Sequence, residues 1–156
     1  ELEHRSSELG LSAQVHFMGT RSDTPDILSA LDVFCLTSHN EANPVSILEA
    51  LSTEVPVVAT DVGSVSLTVQ PGKTGFLAEP GSSEAVSGFV LTLLEDAQLS
   101  RTLGEGGRLE VAHHWSLEAM VKGYENLISD IYAKKCKAPL RPGFTVTHVQ
   151  AKRPVE

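Results

Sequence analysis

The 156-residue chain is short of cysteine, of positive charge and of long apolar runs. Its two cysteines, Cys35 and Cys136, look unpaired and have no metal-ligand spacing, so they point to a reducing, cytoplasmic setting. Twelve Lys and Arg stand against 20 Asp and Glu, a formal charge of -8. That balance excludes nonspecific nucleic-acid binding, which needs basic surface to neutralise phosphates, although a small site on an acidic protein can still be locally positive. No stretch approaches the roughly 20 apolar residues that a membrane helix requires, and no signal-peptide pattern is expected. What the chain does have is 41% apolar residues, enough at this length for one real core and a single domain.

The apolar residues are arranged in alternating strand-like and helix-like runs. Helices are expected at 1–9, 24–31 and 44–53, strands at 15–18, 33–37, 56–59 and 75–78, and a short helix near 64–69. Asp32-Val-Phe-Cys-Leu-Thr37 and Pro56-Val-Val-Ala59 have the composition of buried strands, which places Cys35 in the core. Strands and helices that alternate at this length imply parallel βαβ units. The C-terminal third is helical in period over 82–95, 98–113 and 116–135, with Ser82 or Ser83 and Ser116 as caps. From Lys137 the text becomes Pro-rich and basic, the composition of a flexible tail.

Between the strand at 33–37 and the next helix lie two carboxylates, Glu41 and Glu49, with seven residues between them. In open parallel sheets, ligands bind in the crevice at the carboxyl ends of the strands, where a helix start points free N–H groups at the ligand. Asn43 is a good N-cap and Pro44 suits the first helical position, which leaves the backbone N–H groups of Val45 and Ser46 unpaired. Glu49 then lies about 9 Å along the helix from Asn43, with Glu41 on the other side of the helix start. A carboxylate beside a helix N-terminus repels phosphate, so the glutamates suit sugar hydroxyls and the amides suit the anion.

These residues, with Val15-His-Phe-Met-Gly19, Pro56-Val-Val-Ala-Thr-Asp-Val-Gly63, Gly72-Lys-Thr-Gly-Phe-Leu77 and Trp115-Ser-Leu-Glu118 in the same order, resemble the C-terminal, donor-binding half of the group 1 retaining glycosyltransferases of GT-B architecture. The resemblance runs from Val15 to about Tyr132. It implies an α/β fold, a Rossmann-like parallel sheet with helices on both faces, with a partial nucleotide-sugar-binding domain over 1–135 and a tail over 136–156. It further implies a nucleotide diphosphate sugar as donor, with Glu41 as the catalytic candidate that orients the transferred sugar together with Asn43. The Val45 and Ser46 amides would hold the diphosphate and Glu49 the ribose hydroxyls. Arg21, just past the strand ending at Gly19, is a candidate for the nucleobase vicinity and equally an ordinary surface arginine. No metal or other cofactor is expected.

The chain departs from the family pattern at Ala42, at Glu54 and in 63–69, where an acidic residue usually follows the glycine. At Glu54 the family has the glycine that closes the helix in a left-handed conformation, so Glu implies strain or a different exit. The basic pair that neutralises the leaving diphosphate and the N-terminal acceptor-binding domain precede the region of resemblance. Little or no transferase activity is therefore expected of the fragment alone, and membrane association is expected only through the missing half. Two other classes stay open: an epimerase-like nucleotide-sugar enzyme, for which no acid/base pair is identifiable, and a non-catalytic Rossmann-like remnant. Gly72-Lys73-Thr74 lacks the first glycine of a P-loop and reads as a turn. His113 and His114, adjacent on a helix, have no ligand-spaced partner for a metal.

Overall fold

A computed structural model describes residues 1–136, which include three parallel strands and six α-helices. In chain order these are α1 (Leu2–Glu8), α2 (Thr24–Ser29), β1 (Phe34–Leu36), α3 (Val45–Ser52), β2 (Val57–Thr60), a 3-10 turn (Val65–Leu67), β3 (Gly75–Ala78), α4 (Ser83–Glu95), α5 (Ala97–Glu110), a π-helical turn (Val111–Trp115) and α6 (Leu117–Cys136). The chain divides into two compact units, one over Glu1–Trp115 and a second from Ser116. The expected tail over 136–156 lies, but for Cys136, outside the described residues. No described helix is long and apolar enough to cross a membrane.

The sheet has the order β1-β2-β3, with Phe34 opposite Val57 and Val57 opposite Gly75. All four residues of β2 are buried, as a central parallel strand covered on both faces requires. Val57 and Ala59 face one cluster with Ile47, Ala50 and Leu51 of α3. Val58 faces a second cluster with Leu93 of α4 and Leu103 of α5, to which Phe76 and Phe89 add a stacked pair with centroids 4.8 Å apart. The period-2 alternation of β2 thus sends successive side chains to opposite helical layers.

Three expectations change. The segment 15–18 is not a strand: no described strand pairs with it, and Phe17 and Met18 are about half exposed, at 48% and 55%. Strand character in a sheet requires a ladder partner, whatever the side chains prefer. Cys35 is not core: Phe34 and Leu36 pack on the α3 side, and alternation turns Cys35 to the other face, where it is exposed. The helix expected over 98–113 stops at Glu110 and widens into the π turn; over a single turn the two periods cannot be separated by side-chain pattern.

Helix ends follow local chemistry. The Ser82 hydroxyl accepts from the Ala85 N–H, and Ser116 from Ala119. Asp96 caps α5 by accepting from both Gln98 and Leu99. At the end of α3 the Val55 N–H bonds to Ala50 O and the Glu54 N–H to Leu51 O, both at 3.1 Å, the paired bonds of a Schellman closure. Its left-handed position is Glu54, at φ 63°, the one non-glycine with positive φ among the described residues.

Candidate functional site

Two loops meet at the carboxyl edge of the sheet. One leaves β1, runs through Thr37–Pro44 and enters α3; the other leaves β2 at Thr60 and turns through Asp61–Ser64. The Thr60 hydroxyl, 3% exposed, donates to Ser38 O at 2.5 Å. The Ser38 hydroxyl in turn donates to Glu41 Oε1 at 2.6 Å. Gly63, at φ 55°, lies so close that a Cβ on it would stand 1.7 Å from Glu41 O, and the Ser64 hydroxyl donates to Ala42 O. The second loop therefore holds the first by backbone and side chain alike, and Glu41 is half-buried between them.

The helix begins one residue later than its sequence suggests. Pro44, not Asn43, is the N-cap, with an extended ψ of 106°, and Val45 is the first helical residue. A proline at the cap has no side-chain oxygen to offer the first amides, and Asn43 makes no cap hydrogen bond. The Ile47 N–H reaches Pro44 O at 3.1 Å, while those of Val45 and Ser46 have no partner among the described residues. The dipole of α3 adds partial positive charge at the same place. Pro44 is buried, Val45 exposed and Ser46 half-buried, so the free donors stand at the surface on a rigid base.

Glu49 lies one turn further along α3, exposed, and its carboxylate has neither hydrogen bond nor ion pair among the described residues. Asn43 is exposed in the loop. Arg21 stands apart: it donates to Asp23 through Nε at 2.7 Å and Nη2 at 2.5 Å, and nothing joins it to residues 37–49. The pairing pushes the Arg21 guanidinium further up and the Asp23 carboxyl down. Glu41, Asn43, Val45, Ser46 and Glu49 are thus brought to one loop and helix start, whereas Arg21 belongs to a separate surface pair.

A cleft of about 520 Å³ opens at the same edge, lined by Thr37, His39 and Thr60 on the sheet side and by Ser82, Val86 and Val90 of the α4 region. His39 and Thr60 had no part in the sequence-based site. Ser38 was legible in principle, since a serine three residues before a carboxylate is the spacing at which the two side chains meet in a turn. In chemical terms the edge offers unpaired amide donors for an anion and carboxylate acceptors for hydroxyl groups on either side of it.

Comparison with known proteins identifies the family. Residues 1–110 match the family model described as glycosyl transferases group 1. N-acetyl-alpha-D-glucosaminyl L-malate synthase of Bacillus anthracis is 32% identical over 123 residues, which cover 79% of this chain and 32% of that protein. The Anabaena protein HepE, solved with UDP and also with UDP-glucose, superposes with a TM-score of 0.79 at 28% identity in the UDP complex, over 83% of this chain and 36% of that one. The C-terminal domain of a group 1 glycosyl transferase, LpcC of Francisella tularensis, gives 0.66 at 26% identity over 74% of this chain and 61% of that one. The chain spans about a third of the length of the curated relatives it matches. With the family model matched over residues 1–110 and a parallel sheet covered by helices on both faces, the chain belongs to the group 1 glycosyl transferases.

Proposed function

We propose that this chain is the donor-binding part of a retaining glycosyltransferase that uses a nucleotide diphosphate sugar. One observation carries the reading: two unpartnered amides, Val45 and Ser46, at the positive end of α3, set between the carboxylates of Glu41 and Glu49. The amides take the diphosphate, Glu41 and Asn43 the transferred sugar, and Glu49 the ribose hydroxyls; Arg21, paired with Asp23, has no part in this reading. When the anomeric C–O bond breaks, its electron pair goes to the diphosphate oxygen, and the fixed N–H groups stabilise charge that grows in the transition state. Glu41 orients the sugar, and the acceptor is bound by sequence outside these residues. That HepE was solved with UDP and UDP-glucose supports the donor class.

Calorimetry of the chain with UDP, GDP and ADP, beside Glu49→Ala, tests this. Binding of one diphosphate, weakened at least tenfold by the substitution (about 1.4 kcal/mol), is the expected result. No binding by any of the three, or binding indifferent to Glu49, removes the donor-site reading from this chain. Transferase activity of the chain by itself is expected to be negligible.

A further inference from the structure

We infer that Ser38 is a positioning residue for Glu41, and that Thr60 anchors it, so that the site's sugar-facing carboxylate is set by a neighbour in its own loop that β2 holds in place. The inference rests on the proposed donor-site reading for its functional consequence, though not for its geometry. The Ser38 hydroxyl donates to Glu41 Oε1 at 2.6 Å, a short charge-assisted bond. Oε2 has no partner among the described residues. One carboxylate oxygen is therefore occupied and the other left to accept.

Ser38 is itself held, because its carbonyl accepts from the hydroxyl of the buried Thr60 at 2.5 Å. Thr60 is the last residue of the central strand, in register with Ala78 of β3. The order Thr60 to Ser38 to Glu41 thus ties a loop carboxylate to the buried central strand of the sheet. A glutamate free to turn loses rotamer entropy each time it grips a ligand, and a tethered one has already lost it. Without the hydroxyl, Glu41 would remain half-buried but would sample several rotamers. The effect should fall on the sugar and spare the diphosphate, whose donors are the Val45 and Ser46 amides on the helix.

The test compares the unaltered chain with Ser38→Ala, Ser38→Thr and Glu41→Ala. Three-bond NMR couplings about Cα–Cβ and Cβ–Cγ of Glu41, measured without ligand, should report one rotamer in the unaltered chain and in Ser38→Thr, which keeps the donor. Ser38→Ala should average them. Calorimetry with UDP-glucose and with UDP should then show Ser38→Ala weakening the nucleotide sugar about tenfold, leaving UDP unchanged, with Ser38→Thr restoring most of the loss. A single rotamer in Ser38→Ala, or averaging already present in the unaltered chain, overturns the tether. So does an equal loss for UDP and UDP-glucose, the mark of general loop damage. Glu41→Ala that leaves UDP-glucose affinity intact strikes the donor-site reading instead, and the ligand-free couplings still decide whether Ser38 holds Glu41.

Discussion

The α-carbon of Gly63 faces the carbonyl oxygen of Glu41 so closely that a Cβ would come within 1.7 Å of it. Backbone is the obstacle, and neither partner can move aside as a flexible side-chain tip would. Gly63 also has φ 55°, a conformation that strains an L-residue by about 1–2 kcal/mol. Gly63→Ala should therefore lower unfolding stability by at least about 2 kcal/mol and weaken nucleotide-sugar binding as well, because the displaced atom is the backbone of Glu41. Urea unfolding and calorimetry read the two effects. A variant of unchanged stability would mean that the two loops are not packed as described.

Glu54 occupies the left-handed position of the closure that ends α3, where glycine is the ordinary occupant. The exit was not rerouted to suit it: both backbone bonds of the closure are formed, and Gly104 of α5 packs against the Glu54 carbonyl, where a Cβ would stand 2.0 Å away. Arg108 lies 3.6 Å from the Glu54 carboxylate in an exposed pair, an interaction worth little. Glu54→Gly should stabilise the chain by about 1 kcal/mol, the relief of the left-handed strain less the added entropy of the unfolded glycine. Glu54→Ala, which keeps the strain, should not. Equal denaturation midpoints for the two variants would place no strain at this position.

Lys73 and Glu110 join the turn before β3 to the end of α5. Lys73 Nζ donates to Glu110 Oε2 at 2.5 Å, Gln70 donates to Oε1 at 3.4 Å, and His114 stands 3.9 Å away. Glu110 is only 8% exposed. The hydrogen bond from Lys73 holds its carboxyl below the usual 4.5, against the upward push of desolvation. A carboxyl lowered in the folded state contributes stability that is complete above the unfolded value and is lost as pH falls through the folded one. The chain should therefore lose stability on acidification below about 4.5, and Glu110→Gln should flatten that part of the profile. At neutral pH the substitution should destabilise by about 1–2 kcal/mol, the range for a charged hydrogen bond reduced by the exposure of Lys73. Midpoints of thermal unfolding against pH check both statements.

How far the sequence could be read depends on which residues act alone. The parallel βαβ order, β3 over 75–78, a cap at Ser82 or its neighbour Ser83, and the Ser116 cap follow from local pattern, and the order, the β3 limits and the caps at Ser82 and Ser116 are observed. The segment 15–18 and Cys35 were misread because pairing and the covering of a sheet face depend on what lies beside a strand, which its own letters do not carry. The grouping of Asn43, Val45, Ser46 and Glu49 was legible because all fall within seven consecutive residues at one helix start. The hold of Thr60 on Ser38, and of Gly63 on Glu41, joins residues more than 20 positions apart, and no local spacing announces it.

Glu49 and Glu110 make the opposite case to each other on helices of the same unit. Glu110 is buried and multiply bonded, so its loss harms the fold. Glu49 is exposed and its carboxylate touches no partner among the described residues, so nothing in the fold depends on it. Glu49→Gln should leave urea stability within about 0.5 kcal/mol, as for surface substitutions generally. Its affinity for the nucleoside diphosphate should still fall, because a neutral amide offers one oxygen to a pair of ribose hydroxyls where the carboxylate offers two charged ones. A loss of binding without loss of stability places Glu49 on the ligand. A loss of both in proportion would give it a structural partner instead, and the ribose assignment would lapse.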